Sequence, residues 1–167
     1  MQIVIIRHGI AEEPEAFAKG GQEDALRPLT KAGRQKMRKA AKGLKRIVPA
    51  LDLIATSPLT RAVQTGEIIS KAYEGVRTAQ VAALSPRKAP AALLDWLNAH
   101  PANTTLALVG HEPHLSTFLC WLLTGLHESF VELKKGGAAL VEVAHPAAAG
   151  RGKLMWMLKP SQLRAVR

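Results

Sequence analysis

The chain has 167 residues, 47% of them apolar, a single cysteine and a formal charge of +10. That length predicts one domain, residues 1–167, with a substantial buried core. No apolar run reaches the eighteen or so residues of a membrane span, the N-terminus lacks a signal-peptide layout, and one cysteine excludes an internal disulfide, so a cytoplasmic setting is expected.

The first nine residues read MQIVIIRHG. Four consecutive β-branched residues, Ile3 to Ile6, predict a strand buried on both faces in the middle of a parallel sheet. Such a strand cannot hold an arginine and a histidine in its interior, so the chain is expected to leave the sheet at Arg7. Ligands of open α/β sheets bind beyond the carboxyl ends of the strands. Arg7, His8 and Gly9 at that spot point to an anion site with an imidazole free to act on it.

A polar loop, Ile10 to Pro28, follows, too long for a plain connection and rich in glutamate. Thr30 is a good N-cap for a helix from Lys31 to about Val48, with Met37, Ala40, Ala41, Leu44 and Val48 on one face and cations on the other. Leu51 to Thr56 predicts a second strand. Ser57 can cap the next helix, with Pro58 in its first turn, running to about Tyr73. A weaker strand covers Ala79 to Ala82, and Pro90 opens a helix through Leu97.

Thr105 to Val109 is a fourth strand, ending in Gly110-His111-Glu112-Pro113. A helix from Pro113 to Thr124 stops at Gly125 and contains Cys120, read as a buried structural thiol. Ala138 to Val143 and Lys153 to Leu158 predict an antiparallel edge, and the tail after Pro160 is expected to fray. Strands alternating with helices define an α/β fold, three layers with a mostly parallel central sheet.

The unusual residues sit at strand ends. Arg7 and His8 follow the first strand, Arg61 lies in the first turn of the helix after the second, and His111 follows the fourth. In a parallel sheet these ends share one edge, so two arginines and two histidines can converge into a pocket for a phosphate dianion. His111 and His114 lack the further ligands that a metal site needs, so no metal or other cofactor is expected. No GxxxxGK[ST] loop is present, which excludes P-loop nucleotide hydrolysis.

RHG after the first strand, SPLTRAVQT after the second and GHEP after the fourth resemble the histidine phosphatase superfamily, which includes the phosphoglycerate mutases and acid phosphatases. The short length, RPLTKAG and the SPLTRAVQT form look most like the SixA-type phosphohistidine phosphatases. The resemblance implies a phosphoglycerate mutase-like fold and a metal-independent phosphatase. His8 would be the nucleophile that forms a phosphohistidine intermediate. Arg7, Arg61 and His111 would hold the phosphoryl oxygens, and Arg27 would be a further phosphate or substrate contact. Flanking arginines are expected to lower the His8 pKa by like-charge repulsion, so activity should fall on acidification.

Superfamily members that cleave esters use a carboxylic acid, usually a glutamate after the third strand. The corresponding region here, VAALSPRKAP, has none. An imidazole leaves far more readily than an alkoxide, since its conjugate acid has a pKa of about 6.5. The expected substrate is therefore a phosphorylated histidine on a signalling protein, such as a histidine-containing phosphotransfer domain. Glu12, Asp24 or Glu112 could supply a proton from a loop instead. Only fifty positions separate Arg61 from His111, which leaves little chain to cover the pocket. The alternatives are a small-molecule phosphomonoesterase or mutase of the same superfamily, and a nucleic-acid-binding protein using the cations between Lys31 and Arg46. The second is disfavoured because aromatic residues, needed for stacking on bases, are only 4% of the chain.

Overall fold

The apolar run at the N-terminus forms β1 (Gln2–Arg7), whose side chains from Ile3 to Ile6 are all fully buried. In the computed structural model, which describes residues 1–166, β1 pairs in parallel with β4 (Thr105–Gly110) and antiparallel with β5 (Ala138–Val143). The chain stays in the sheet one residue longer than expected, because Arg7 still pairs opposite Gly110. With β2 (Leu53–Thr56), β3 (Thr78–Gln80) and β6 (Gly152–Leu158), the sheet has the order β3-β2-β4-β1-β5-β6. The first four strands run parallel, and β5 and β6 form the antiparallel edge.

Alternation along β1 divides the core. Val4 and Ile6 face α2 (Lys31–Ile47), α3 (Thr60–Ala72) and α6 (Pro160–Ala165), while Ile3 and Ile5 face α4 (Pro90–Asn98) and α5 (His114–Thr124). The expected three layers are present. Thr30 caps α2 by accepting the Gly33 amide at 2.8 Å, and Gly125 ends α5 at φ 79°. Cys120 is buried within α5. No helix among the described residues is long and apolar enough to cross a membrane.

Three expectations need correction. The tail does not fray: α6 carries Leu163 into the core against α2, at 1% exposure. The helix after β2 begins at Thr60, not at Ser57, because the Ser57 hydroxyl accepts the Leu59 amide two residues on and faces His111 instead. The Ile10–Pro28 loop holds a short helix, α1 (Pro14–Ala18), and a 3-10 turn at Asp24–Leu26. Its base is closed by an antiparallel bridge between Ala11 and Leu29.

Candidate active site

The carboxyl ends of β1, β2 and β4 open into a cleft of about 540 Å³. Arg7, His8, Arg61 and His111 all line it, and so does Arg27. The gathering of side chains expected at three strand ends is therefore present.

His8 is 6% exposed, and its backbone amide still bonds to the Gly110 carbonyl across the β1–β4 ladder. Its Nδ1 lies 2.7 Å from the Gly9 carbonyl oxygen. A carbonyl only accepts, so Nδ1 carries the proton and Nε2 keeps its lone pair. The Gly9 amide is in turn held by Thr65 of α3, whose hydroxyl donates to the Arg61 carbonyl, so the His8 turn and the Arg61 turn are locked together. Burial, first, and the charges of Arg61, Arg7 and Arg27 push the His8 pKa down to about 4, against the raising effect of the Gly9 hydrogen bond. The sequence expectation put this depression on the arginines; desolvation is the larger cause.

His111 sits 5.0 Å from His8, ring centroid to ring centroid. Its Nε2 faces Ser57 Oγ at 2.8 Å, while its Nδ1 is buried with no partner. Ser57 Oγ already accepts the Leu59 amide, and the acceptor within reach of its proton is His111 Nε2. With Ser57 donating to Nε2, the proton of His111 sits on Nδ1. Burial and the neighbouring His8 and Arg61 lower its pKa to about 3. Both rings are thus neutral at physiological pH.

Arg61 is 5% exposed and turns both terminal nitrogens to Asp24, one to its carbonyl at 2.8 Å and one to its carboxylate at 3.0 Å. Arg27 approaches the same carboxylate through Nε at 2.7 Å and donates Nη1 to the Glu12 carbonyl. Arg7 donates to the Leu133 carbonyl at 2.7 Å, with Glu132 3.6 Å away. The Nε atoms of Arg7 and Arg61 are buried and unpartnered. Together with His111 Nδ1, cleft-lining side chains therefore hold three donors without an acceptor, an arrangement that oxyanion oxygens would satisfy.

The three loop carboxylates differ. Glu12 does not line the cleft; only its carbonyl takes part. Asp24 does line it, and although burial works against its charge, the Arg27 hydrogen bond and the Arg61 and Arg27 charges hold its carboxyl below the ordinary range. It cannot carry a proton at neutral pH. Glu112 also lines the cleft, with one carboxylate oxygen buried and unpartnered, and burial raises its pKa against the Ser116 hydrogen bond and the Arg7 charge. No group of three or more potential metal-ligating side chains occurs among the described residues.

Sequence reasoning missed three participants, Ser57, Arg87 and Lys135, and gave Asp24 a proton-donating role in place of its hold on two arginines. Ser57 and Asp24 act through partners distant in sequence. Arg87 and Lys135, both exposed, line the cleft from segments that carry no motif. The Gly136-Gly137 pair beside Lys135 was the available signal: the Gly136 amide bonds to the Arg7 and His8 carbonyls.

The family model of the histidine phosphatase superfamily (branch 1) matches residues 3–86. An uncharacterized protein of Picosynechococcus sp. is 35% identical over 139 residues, 82% of each chain. The structure of the protein histidine phosphatase SixA complexed with tungstate superposes with a TM-score of 0.83 at 25% identity, over 98% of this chain and 99% of that one. A phosphoserine phosphatase mutant of Entamoeba histolytica in complex with phosphoserine shares the fold, with a TM-score of 0.68 at 17% identity over 97% and 98%.

Proposed function

This chain belongs to the histidine phosphatase superfamily (branch 1) and is a phosphatase, and from that premise we propose that it removes the phosphoryl group from phosphorylated histidine on a protein. His8 Nε2, unprotonated and free, attacks phosphorus in line with the leaving nitrogen. The phosphorus–nitrogen bond of the substrate breaks, its electron pair stays on the substrate imidazole, and that nitrogen takes up a proton from solvent, which the attacking water of the second step returns. A phosphorus–Nε2 bond forms on His8. Water then attacks the same phosphorus, inorganic phosphate leaves, and Nε2 recovers its lone pair.

Arg7 and Arg61 hold the phosphoryl oxygens, and His111 donates from Nδ1. These groups answer charge that spreads over the oxygens in the transition state. Arg27 supports the site at its edge. The likeness to the SixA structure with tungstate, a tetrahedral oxyanion, supports an anion in this position.

The observation that carries the substrate reading is the cleft wall formed by Ser85, Pro86 and Arg87, which presents a guanidinium and no carboxylate. Between α3 and α4 the chain supplies only β3 and a 3-10 turn at Ala82–Leu84, so this segment adds no helix over the cleft. A histidine on a protein surface can approach it. A second reading, a phosphomonoesterase, is favoured by one feature, the Glu112 carboxyl with its raised pKa, which could protonate an alkoxide.

The test offers purified enzyme a phosphohistidine-bearing protein and a phosphate monoester side by side. The expected result is faster turnover of the protein, abolished by His8→Ala. A clear preference for the monoester overturns the substrate reading.

A further inference from the structure

The positive charge of this chain is not spread evenly. Helix α2 carries eight lysines and arginines between Lys31 and Arg46 and no carboxylate. Lys45 is paired with Glu74 and Arg46 bonds to the Val166 carbonyl. By contrast Lys36, Arg38 and Lys39 are exposed, and none of them makes an ion pair with a described residue.

These cations are continuous with the active site. Lys135 lines the catalytic cleft and also lines the adjoining hollow between α2 and α6, together with Lys36 and Arg164. Lys36 and Arg164 in turn border the next hollow, with Arg38 and Lys39. Among the described residues no carboxylate lines either hollow. A basic band therefore leaves the cleft through Lys135 and crosses the outer surface of α2. Shielding a charge pattern of this kind lowers its own repulsion, and an acidic surface laid against it does so while steering encounter.

We propose that the band formed by Lys135, Lys36, Arg164, Arg38 and Lys39 is a docking surface for the acidic face of the protein whose phosphohistidine enters the cleft. The assignment rests on the reading of the substrate as a phosphoprotein. Two observations select this occupant. The band runs directly into the cleft, so a partner seated on it presents its phosphoryl group to His8. Among the described residues no aromatic side chain lines either hollow, which removes the stacking platform that single-stranded nucleic acid needs.

The experiment compares three enzymes: wild type, Lys36→Glu/Arg38→Glu/Lys39→Glu, and a control with the same change in charge, Arg77→Glu/Arg151→Glu/Lys153→Glu. The control residues are exposed and flank the opposite end of the sheet, at the start of β3 and of β6. Each enzyme is given an acidic histidine phosphotransfer domain, phosphorylated chemically with phosphoramidate, and free phosphohistidine. At low salt the α2 variant is expected to lose tenfold or more in kcat/KM on the protein and less than twofold on free phosphohistidine. Its remaining activity on the protein should also depend less on salt than that of wild type. The control variant should lose clearly less on the protein.

Equal losses on both substrates, or equal losses in the two variants, overturn the docking surface while leaving the phosphohistidine reading intact. Wild type that hydrolyses a phosphate monoester but neither phosphohistidine substrate overturns both. Salt-sensitive binding of DNA or RNA that the α2 variant loses, with unchanged kinetics on the phosphoprotein, assigns the band to nucleic acid and overturns the proposal.

Discussion

His111 Nε2 and Ser57 Oγ lie 2.8 Å apart at full burial, joining the loop after β4 to the loop after β2. The direction of this hydrogen bond decides which ring nitrogen of His111 bears the proton: with Ser57 as donor, Nδ1 is the nitrogen left to donate to an oxyanion. Ser57→Ala frees the ring to adopt the other tautomer. The expected result is a fall in kcat of about tenfold, or ~1.4 kcal/mol of transition-state stabilisation. Nitrogen NMR of His111 checks the cause: Nδ1–H in the wild type, a mixture in the variant. An unchanged tautomer would show that Ser57 acts only on the Leu59 turn.

The pKa of His8, near 4, sets the acid limit of the free enzyme well below that of an ordinary histidine. Activity limited by this group is expected to hold down to about pH 5 and to fall as pH drops through 4. An NMR titration of the His8 ring separates its protonation from that of the substrate. The same shift has a consequence for stability. His8, His111 and His114 all have folded pKa values below their unfolded ones, so the unfolded chain binds more protons between about pH 6.5 and the folded values. Their contribution is complete above pH 6.5 and is lost as pH falls through that window. Thermal midpoints measured from pH 7 to pH 4 should decline steadily, and a His8 ring titrating near pH 6.5 would remove the basis for this.

Glu112 offers a separation of substrate classes. An alkoxide needs a proton as it leaves, whereas imidazole is a better leaving group. Glu112→Gln keeps the shape and removes the acid. Hydrolysis of a phosphate monoester is expected to fall by a hundredfold or more, the usual range for a general acid, while phosphohistidine hydrolysis changes much less. Equal effects on both substrates would mean that Glu112 acts on the site as a whole, through its neighbour Arg7.

Asp24 holds both Arg27 and Arg61, and a phosphoryl group must compete with its carboxylate for the same guanidinium. Asp24→Asn keeps a hydrogen-bond acceptor and removes the competing charge. Inorganic phosphate or tungstate is expected to bind the variant several-fold more tightly in calorimetric titrations, since the anion no longer displaces a charged partner. The variant's fold, left with less compensation for the Arg61 charge, should melt somewhat lower without anion. Weaker anion binding would instead assign Asp24 the task of holding Arg61 in its productive orientation.

The strands that build the site were legible because their reasons are local. Ile3 to Ile6 and Leu106 to Val109 are buried on both faces, so an unbroken apolar run identifies them and the first polar residue marks the sheet edge. Thr30 and Gly125 were legible for the same reason, since a cap depends on the residues beside it. What escaped depends on partners far along the chain. Ser57 reads as a helix cap until its partner 54 positions away, His111, is brought to it. Asp24 reads as one acid in an acidic loop until Arg61, 37 positions on, reaches it. The C-terminal segment is too short to hold a helix alone, and only its docking on α2 makes one.

That docking depends on a missing side chain. A Cβ placed on Gly43, in the C-terminal third of α2, would lie 1.8 Å from the Leu163 carbonyl oxygen and 2.9 Å from its carbon. Backbone atoms cannot yield as a flexible side chain can, so Gly43→Ala must push α6 off α2, although alanine is the better helix former. Leu163 then loses its place in the core, and the Arg46 bond to the Val166 carbonyl, 2.8 Å, is drawn apart. The cost is about 1–3 kcal/mol, a drop in melting temperature of roughly 3–10 °C. Activity on free phosphohistidine at 25 °C should stay within twofold, because α6 does not line the catalytic cleft. Hydrogen exchange over residues 160–166 should accelerate more than exchange in β1, locating the damage at the α2–α6 contact. A variant as stable as wild type would mean that the two helices separate without loss.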